Sequence, residues 1–294
     1  MQRAVAIGNF DGVHLGHQRV LMRTLELSEE HGLLPSVLTF EPHPVKFFKP
    51  ELPEFLLVSP EKKRETIQNF GVDVVFRKFD EAFSKLSPHE FVSEVLHKEL
   101  NAKVVLVGDG FRYGSKRSGD VATLKRDCSE FGIEVEITEP VELHGEIVSS
   151  SRVRKAFRAG QIKDVTELMG RPHRTLGCVE HGDGIGHQLG FPTANVRVEG
   201  AILPAPGIYA TYFYEGGRAW KAATYVGERP TFNGRDMRVE SFVLDEDSLE
   251  LYGEDVIVEW IDWIRGDKAF ESAEALVEQM KIDVENARRA LSLT

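Results

Sequence analysis

The chain has 294 residues, 41% of them hydrophobic and 28% charged, with a formal net charge of −11 at pH 7. That length allows one large or two ordinary globular domains with packed cores, and the acidic balance argues against nucleic-acid or anionic-membrane surfaces, leaving only local basic pockets for phosphates. Two distant cysteines, Cys128 and Cys178, indicate neither a disulfide framework nor a zinc site, and no stretch approaches the roughly 18 apolar residues of a membrane span, so a cytoplasmic protein is expected.

In chain order, the apolar runs AVAIG, LLPSVLTF, VDVVF and KVVLVG alternate with helical patterns as far as about Gly160. This alternation predicts β-α-β units around a parallel sheet covered on both faces. The first helix, within HQRVLMRTLELSEEHG, carries Val20, Leu21, Leu25 and Leu27 as its apolar face and stops at Gly32. SSSRVRKAFRAGQ reads as a capped helix with Val153 and Phe157 four apart and Gly160 at its end. A second helical stretch surrounds Val165 to Met169.

The texture then changes to short strand-like pieces, TLGCVEH, IYATYFYE, KAATYVG, RVESFVLD and DVIVEWIDWI, separated by turn residues. These predict a β-barrel or sandwich. The last segment is a helix with Ser272 as N-cap, and Leu276, Met280, Val284, Ala287 and Leu291 are expected to pack it against the barrel. The expected domains are 1–169 and 170–294, without repeats or low-complexity stretches.

Chemistry concentrates first in residues 8–18, GNFDGVHLGHQ. Asp11-Gly12 predicts a turn, and the next helix is expected to begin between Val13 and Gly16. His14 and His17, three apart, would share one face at the helix end where backbone N–H groups and the dipole attract anions. Small residues at 12 and 16 would let a phosphate approach the backbone. Two imidazoles there can donate hydrogen bonds to a polyphosphate, or they can be the solvated histidines of an ordinary capped helix.

The string resembles the H-x-G-H signature of the nucleotidyltransferase superfamily, and G-N-F-D-G-V-H-x-G-H is similar to the FMN adenylyltransferase module of the bifunctional riboflavin kinase/FAD synthetase family. LTFEPHP (38–44) and FSKLSPHEFV (83–92) are similar to later parts of that module, and VSSSRVR (148–154) resembles I-S-S-T-x-I-R with Ser151 in the Thr position. The resemblance implies a Rossmann-like nucleotidyltransferase domain with His14 and His17 as catalytic residues. ATP would be met by Gly8, Asn9, Phe10 and Gly16, its triphosphate and the leaving pyrophosphate by Ser149, Ser150, Ser151 and Arg154, and the flavin by His43 and Tyr113. The family's G-x-[DN]-F-x-[FY]-G loop reads GDGFRYG here, with Gly110 in the acid or amide place and Asp109 one residue early. If the missing side chain touches substrate, adenylyl transfer is expected to be weak unless Asp109 substitutes through a shifted loop.

In the second half, HGDGIGHQ precedes LGFPTANV (189–196). The loop fails the G-x-G-x-x-G test, because His187 and Leu189 fill the last glycine place in its two registers; no P-loop or protein-kinase signature occurs either. P-T-A-N resembles the riboflavin kinase signature. This implies that Thr193 and Asn195 hold Mg2+ and ATP phosphates, a choice of hard oxygen ligands that suits the ion. The loop glycines Gly182, Gly184 and Gly190, with Pro192, would close over the nucleotide. RPTF (229–232), VESFVLD (239–245), LYG (251–253) and Arg265 are also similar to that family. Glu240 falls on its catalytic base, placed to take a proton from the ribityl 5'-hydroxyl. Arg265 is a flavin-binding candidate or a plain surface arginine, and His187 stands where many relatives have Arg.

The resemblance thus implies an α/β domain followed by a β-barrel riboflavin kinase domain with a terminal helix. The barrel would make FMN from riboflavin and ATP, and the first domain FAD from FMN and ATP. The partners expected are these small molecules, with no nucleic acid and no membrane, and a homo-oligomer stays open. In the family a further segment precedes the first strand and could cover the flavin site; here it is expected to be missing. The alternatives are a riboflavin kinase whose first domain binds nucleotide but transfers AMP poorly, and a non-catalytic flavin or nucleotide sensor, which intact Thr193, Asn195 and Glu240 disfavour.

Overall fold

The computed structural model describes residues 1–182, 186, 189–231, 234–246 and 251–292, with the backbone alone described at 229–231 and 234–236. Contacts divide the chain into two compact units, Met1–Pro53 with Pro60–Ser149, and Glu54–Ser59 with Ser150–Thr294.

The first unit runs β1 (Arg3–Ile7), α1 (Leu15–His31), β2 (Leu34–Glu41), α2 (Pro44–Phe48), α3 (Pro60–Gln68), β3 (Asp73–Lys78), α4 (Glu81–Ser84) and α5 (Pro88–Glu90). A π-helical stretch (Phe91–Glu99), β4 (Ala102–Gly108), a 3-10 turn (Ser115–Arg117), α6 (Val121–Ser129), β5 (Glu134–Thr138) and the short pair β6 (Glu142–Leu143) and β7 (Glu146–Ile147) follow. The sheet is parallel in the order β3-β2-β1-β4-β5, the α/β architecture expected. Successive side chains of a strand alternate between faces. Accordingly Ala4 and Ala6 join Leu21, Leu27 and Ile67 in one core, while Val5 and Ile7 join Val92, Leu96 and Leu124 in the other.

Local signals set the helix ends. Gly32 closes α1 in the left-handed region (φ 63°) and sends its N–H back to Ser28 O, a C-cap that costs other residues more than glycine. Ser87 and Glu90 form a reciprocal capping box at α5. The strand order reverses between β1 and β4, so the segments leaving their C-terminal ends diverge and open a crevice, where ligands of open α/β sheets bind. GNFDGVHLGH leaves one lip of that crevice and GDGFRYG the other.

The second unit begins with α7 (Ser150–Arg158) and α8 (Ile162–Met169), followed by β8 (His173–Glu180), β9 (Thr193–Arg197), β10 (Gly207–Glu215), β11 (Arg218–Thr231), β12 (Gly234–Val243), β13 (Asp255–Gly266) and α9 (Ala273–Ala290). The six strands close into a barrel in the order β10-β11-β12-β9-β8-β13. A closed barrel leaves no unpaired edge. Val153 and Phe157 of α7 are fully buried, Phe157 edge-on to Trp260 of β13, so contact groups α7 and α8 with the barrel. The sequence boundary at 169/170 instead follows the change in pattern. Ser272 caps α9 as expected, accepting from Ala275 N–H at 3.2 Å.

Candidate functional site

The histidine loop is shaped by its backbone. Phe10 (φ 49°), Gly12 (φ 82°) and Val13 (φ 47°) are all left-handed, which for a β-branched valine is an outlier with a cost of about 1–3 kcal/mol. Burial of Phe10 and Val13 in the core offsets it. Val13 N–H donates to Phe10 O at 3.3 Å and Gln18 Nε2 to Val13 O at 2.9 Å. The tight turn leaves His14 as N-cap of α1, with Nδ1 accepting from His17 N–H at 3.4 Å. An Nδ1 that accepts leaves the imidazole proton on Nε2, so this side chain presents an N–H donor.

The two rings stack, centroids 3.7 Å apart and 20° from parallel. A Cβ at Gly16 would lie 3.1 Å from the His14 ring. The glycine therefore makes room for the imidazole. The open choice between phosphate donors and solvated decoration narrows here, because His14 is only 5% exposed and structurally engaged.

A cleft of about 580 Å³ lies at the crevice and is lined by Gly8, Asn9, His43, Gly110 and Tyr113, together with Phe40, Phe111, Arg112, Lys116 and Arg117. His43 repeats the device of His14, capping α2 through Nδ1, which accepts from Val45 N–H at 3.1 Å. Tyr113 is buried, stacked on Phe111 (5.5 Å, 12°) and against Phe91; burial first, then Asp127, holds its hydroxyl above the usual phenol range. Phe111, less buried, covers one face of that ring. A Cβ at Gly110 would meet nothing within 4 Å, and φ there is not positive, so the backbone accommodates the family's Asp or Asn. Sequence reading missed the cations Lys116 and Arg117, both left-handed at φ 53° and 57°; the SKR run after GDGFRYG was the available signal.

Within the second unit, Ser151, Arg154, Lys155 and Arg158 of α7 line a groove of about 570 Å³ with Phe55. The Arg154 guanidinium lies over the Phe55 ring at 5.3 Å. Lys155 and Arg158 were not singled out in the sequence, although helical spacing puts 151, 154, 155 and 158 on one face. Ser149 ends the first unit and Ser150 opens the second.

The barrel site is built by strand register. Glu240 on β12 pairs across with Asn195 on β9, and Phe242 with Thr193. Alternation then turns Thr193, Asn195 and Glu240 to the same face. Thr193 Oγ1 lies 3.4 Å from Glu240 Oε2, and Arg238 donates to Glu240 Oε1 at 2.8 Å. Thr193 and Glu240 line a cavity of about 350 Å³ with Leu189, Phe191, Tyr225 and Arg265. A Cβ at Gly182 would fall 2.1 Å from the Asn195 amide, and one at Gly186 3.1 Å from Thr193 Oγ1. The loop thus reaches these side chains only because both residues are glycine. Gly186 joins the site through this contact, Gly190 is left-handed (φ 82°), and Pro192 leads into β9. Gly184 and His187 lie outside the described residues, as do the side chains of RPTF.

Arg265 lines the cavity but its guanidinium is held by Asp283 of α9, with Nε and Nη2 at 2.9 and 2.6 Å from the carboxylate. The terminal helix also departs from expectation. Ala287 and Leu291, with Val284 against them, pack on Ala210 and Ala223 of the barrel, but Leu276 and Met280 line the cavity, as Val284 also does, so the N-terminal part of the apolar stripe is cavity wall. Cys128 is buried and its thiol pushed up to about 12, by burial and then by Asp127, which makes it inert. Cys178 is only partly buried. No helix among the described residues is long and apolar enough to cross a membrane.

Comparison with known proteins accounts for both halves. Residues 1–152 match the FAD synthetase family and residues 169–291 the riboflavin kinase family. A bifunctional riboflavin kinase/FMN adenylyltransferase of Haemophilus influenzae is 35% identical over 97% of this chain and 93% of its own length. One of Pseudomonas fluorescens is 37% identical over 96% and 91%. A crystal structure described as a macrolide-efflux protein from Streptococcus pneumoniae superposes with a TM-score of 0.88 at 32% identity, covering 98% of this chain and 94% of that one. With two domain families in tandem and relatives above 30% identity along almost its whole length, the chain belongs to the family of bifunctional riboflavin kinase/FMN adenylyltransferases.

Proposed function

We propose that the barrel phosphorylates riboflavin through Glu240, Thr193 and Asn195 and that the α/β unit joins FMN to AMP through His14 and His17, the activities being those of the family. The observation that carries the reading is the convergence of Thr193 and Glu240, 3.4 Å apart on one cavity, from strands 47 residues apart in sequence. Members of both families act with ATP and a divalent cation. The hydroxyl of Thr193 and the amide oxygen of Asn195 are hard oxygen donors that fit Mg2+. When bound, the ion would neutralise phosphate charge as it develops.

In the kinase step Glu240 accepts the proton of the ribityl 5'-hydroxyl, whose oxygen then attacks the γ-phosphorus while ADP leaves. Arg238 fixes the carboxylate through its other oxygen. Gly182, Gly186 and Gly190 let the chain come close to the nucleotide, with Pro192 leading into β9. Arg265 acts through its pair with Asp283, holding α9 as the wall against which the flavin packs.

In the adenylyl step a phosphate oxygen of FMN attacks the α-phosphorus of ATP and pyrophosphate leaves. His14, and His17 beside it, donate N–H bonds to phosphate oxygens as charge develops. Gly8, Asn9, Phe10 and Gly16 form the backbone of that nucleotide site. Ser149, Ser150, Ser151 and Arg154, as the family resemblance implies, supply donors and positive charge for the triphosphate and leaving pyrophosphate. His43 and Tyr113, the latter backed by Phe111, form the flavin wall. The functional halves are 1–169 and 170–294. Because both steps consume ATP, the reading puts the work in the cytoplasm.

The test is to incubate the protein with riboflavin, ATP and Mg2+ and resolve the flavins by chromatography. FMN followed by FAD is expected. FMN without FAD overturns the adenylyl half, and unconverted riboflavin overturns the kinase half.

A further inference from the structure

Lys63 is a buried cation that neither phosphoryl-transfer step has yet used. It sits on α3, 6% exposed, and its Nζ donates to the backbone carbonyl of Asn9 and to Thr39 Oγ1, each at 3.2 Å. Thr39, fully buried at the end of β2, donates in turn to the same Asn9 carbonyl at 3.2 Å. The three groups close a triangle around one oxygen of the GNFDGVHLGH loop.

An ammonium is expensive to bury, and a buried lysine with neutral partners persists only where the surroundings hold it. Burial lowers its proton affinity below the ordinary lysine value, opposed through space by Glu41 and then by Asp11. The oxygen it holds belongs to the Asn9–Phe10 peptide, the unit whose orientation sets Phe10 in its left-handed conformation. Phe10 opens the turn that ends with His14 as N-cap of α1. A bond fixed at Asn9 is therefore transmitted through four residues of chain to the imidazole pair.

Resting on the reading of this loop as the adenylyl-transfer site, we propose that Lys63, relayed by Thr39, is a positioning residue for that step: it clamps the Asn9 carbonyl and so sets His14 and His17 in register with the nucleotide. A misplacement of about 1 Å at such a site costs up to about 100-fold in rate, so the clamp is worth a buried charge. A merely structural lysine would affect stability and leave turnover per folded molecule alone.

The test compares wild type, Lys63→Met and Thr39→Val in the full chain, with supplied FMN, ATP and Mg2+ as one assay and riboflavin phosphorylation as the internal control. Lys63→Met keeps the length and loses the charge and the donors; Thr39→Val keeps the shape and loses the hydroxyl. Expected for Lys63→Met is a fall of about 10- to 100-fold in kcat for FAD formation, with KM for ATP moved by less than about threefold and the kinase rate unchanged. Thr39→Val should show the same split with a smaller fall in kcat, and the two together less than the product of their separate effects. If Lys63→Met does not fold, Thr39→Val alone decides. Folded variants with wild-type kcat overturn the clamp, as does a loss that appears only in KM. A wild-type protein that makes no FAD from FMN would instead overturn the reading of the site, so the two failures are separable.

Discussion

The two units arrive at their proposed phosphoryl-transfer sites by opposite routes. In the α/β unit the site is a contiguous loop whose backbone is forced into left-handed conformations at Phe10, Gly12 and Val13, with histidine rings locked as a cap and a stack. In the barrel the backbone is ordinary strand, and the site appears because β9 and β12 pair in the register that sets Glu240 beside Asn195. The first depends on turn geometry and the second on strand pairing. Substitutions that alter backbone freedom should therefore strike the loop harder, and substitutions of single donors or acceptors the barrel.

Glu240→Gln should give the largest effect, a loss of about 100- to 10,000-fold in riboflavin phosphorylation, the usual contribution of a general base. FAD formation from supplied FMN should stay unchanged. A folded variant that still makes FMN from riboflavin at the wild-type rate would break the comparison on the barrel side.

His14→Ala should lower FAD formation by about 100- to 1,000-fold, the worth of a donor aimed at developing charge, and also lose the cap, for about 0.5–2 kcal/mol. His14→Asn separates these roles, since asparagine caps a helix well. Its thermal midpoint should recover while the rate does not. Recovery of both would reduce His14 to a cap.

A smaller effect distinguishes the units by pH. His173, fully buried beside Phe157, has its proton affinity lowered to about 3 from the ordinary 6.5, by burial and then by Arg171. Between those pH values the unfolded chain binds the proton and the folded chain does not, so stability rises with pH, at up to about 1.4 kcal/mol per unit. Urea midpoints of the barrel should fall from pH 6.5 downward in the wild type and flatten in His173→Leu; an unchanged slope contradicts this assignment.

Gly110→Asn should have the smallest effect, because a side chain there would point into the cleft without meeting protein atoms. One new hydrogen bond would raise FAD formation by about 2- to 10-fold with the kinase rate unchanged. A decrease would mean that flavin occupies the space.

Both fold classes could be read from pattern, because alternating βα units and short strands with turn signals have different periods. The histidine motif and PTAN were equally legible as contiguous strings. Other members of the sites were not. Gly186 earns its place only by its close approach to Thr193, and Lys63 only by reaching Asn9 across 54 positions. Nothing in EKKRE distinguishes Lys63 from its neighbour Lys62, which pairs with Glu65 one helical turn on.

The sequence by itself determined which residue types are available for the proposed phosphate sites and which segments become helix or strand, since both follow from local chemistry and spacing. Tertiary structure decided which of them act together. The sheet's reversal between β1 and β4 brings GNFDG and GDGFRYG to one cleft, and barrel register brings Glu240 to Thr193. It also paired Arg265 with Asp283 and set Leu276, Met280 and Val284 of the terminal helix on the cavity wall. Such partnerships depend on strand order and closure, which are properties of long-range pairing that no local string contains.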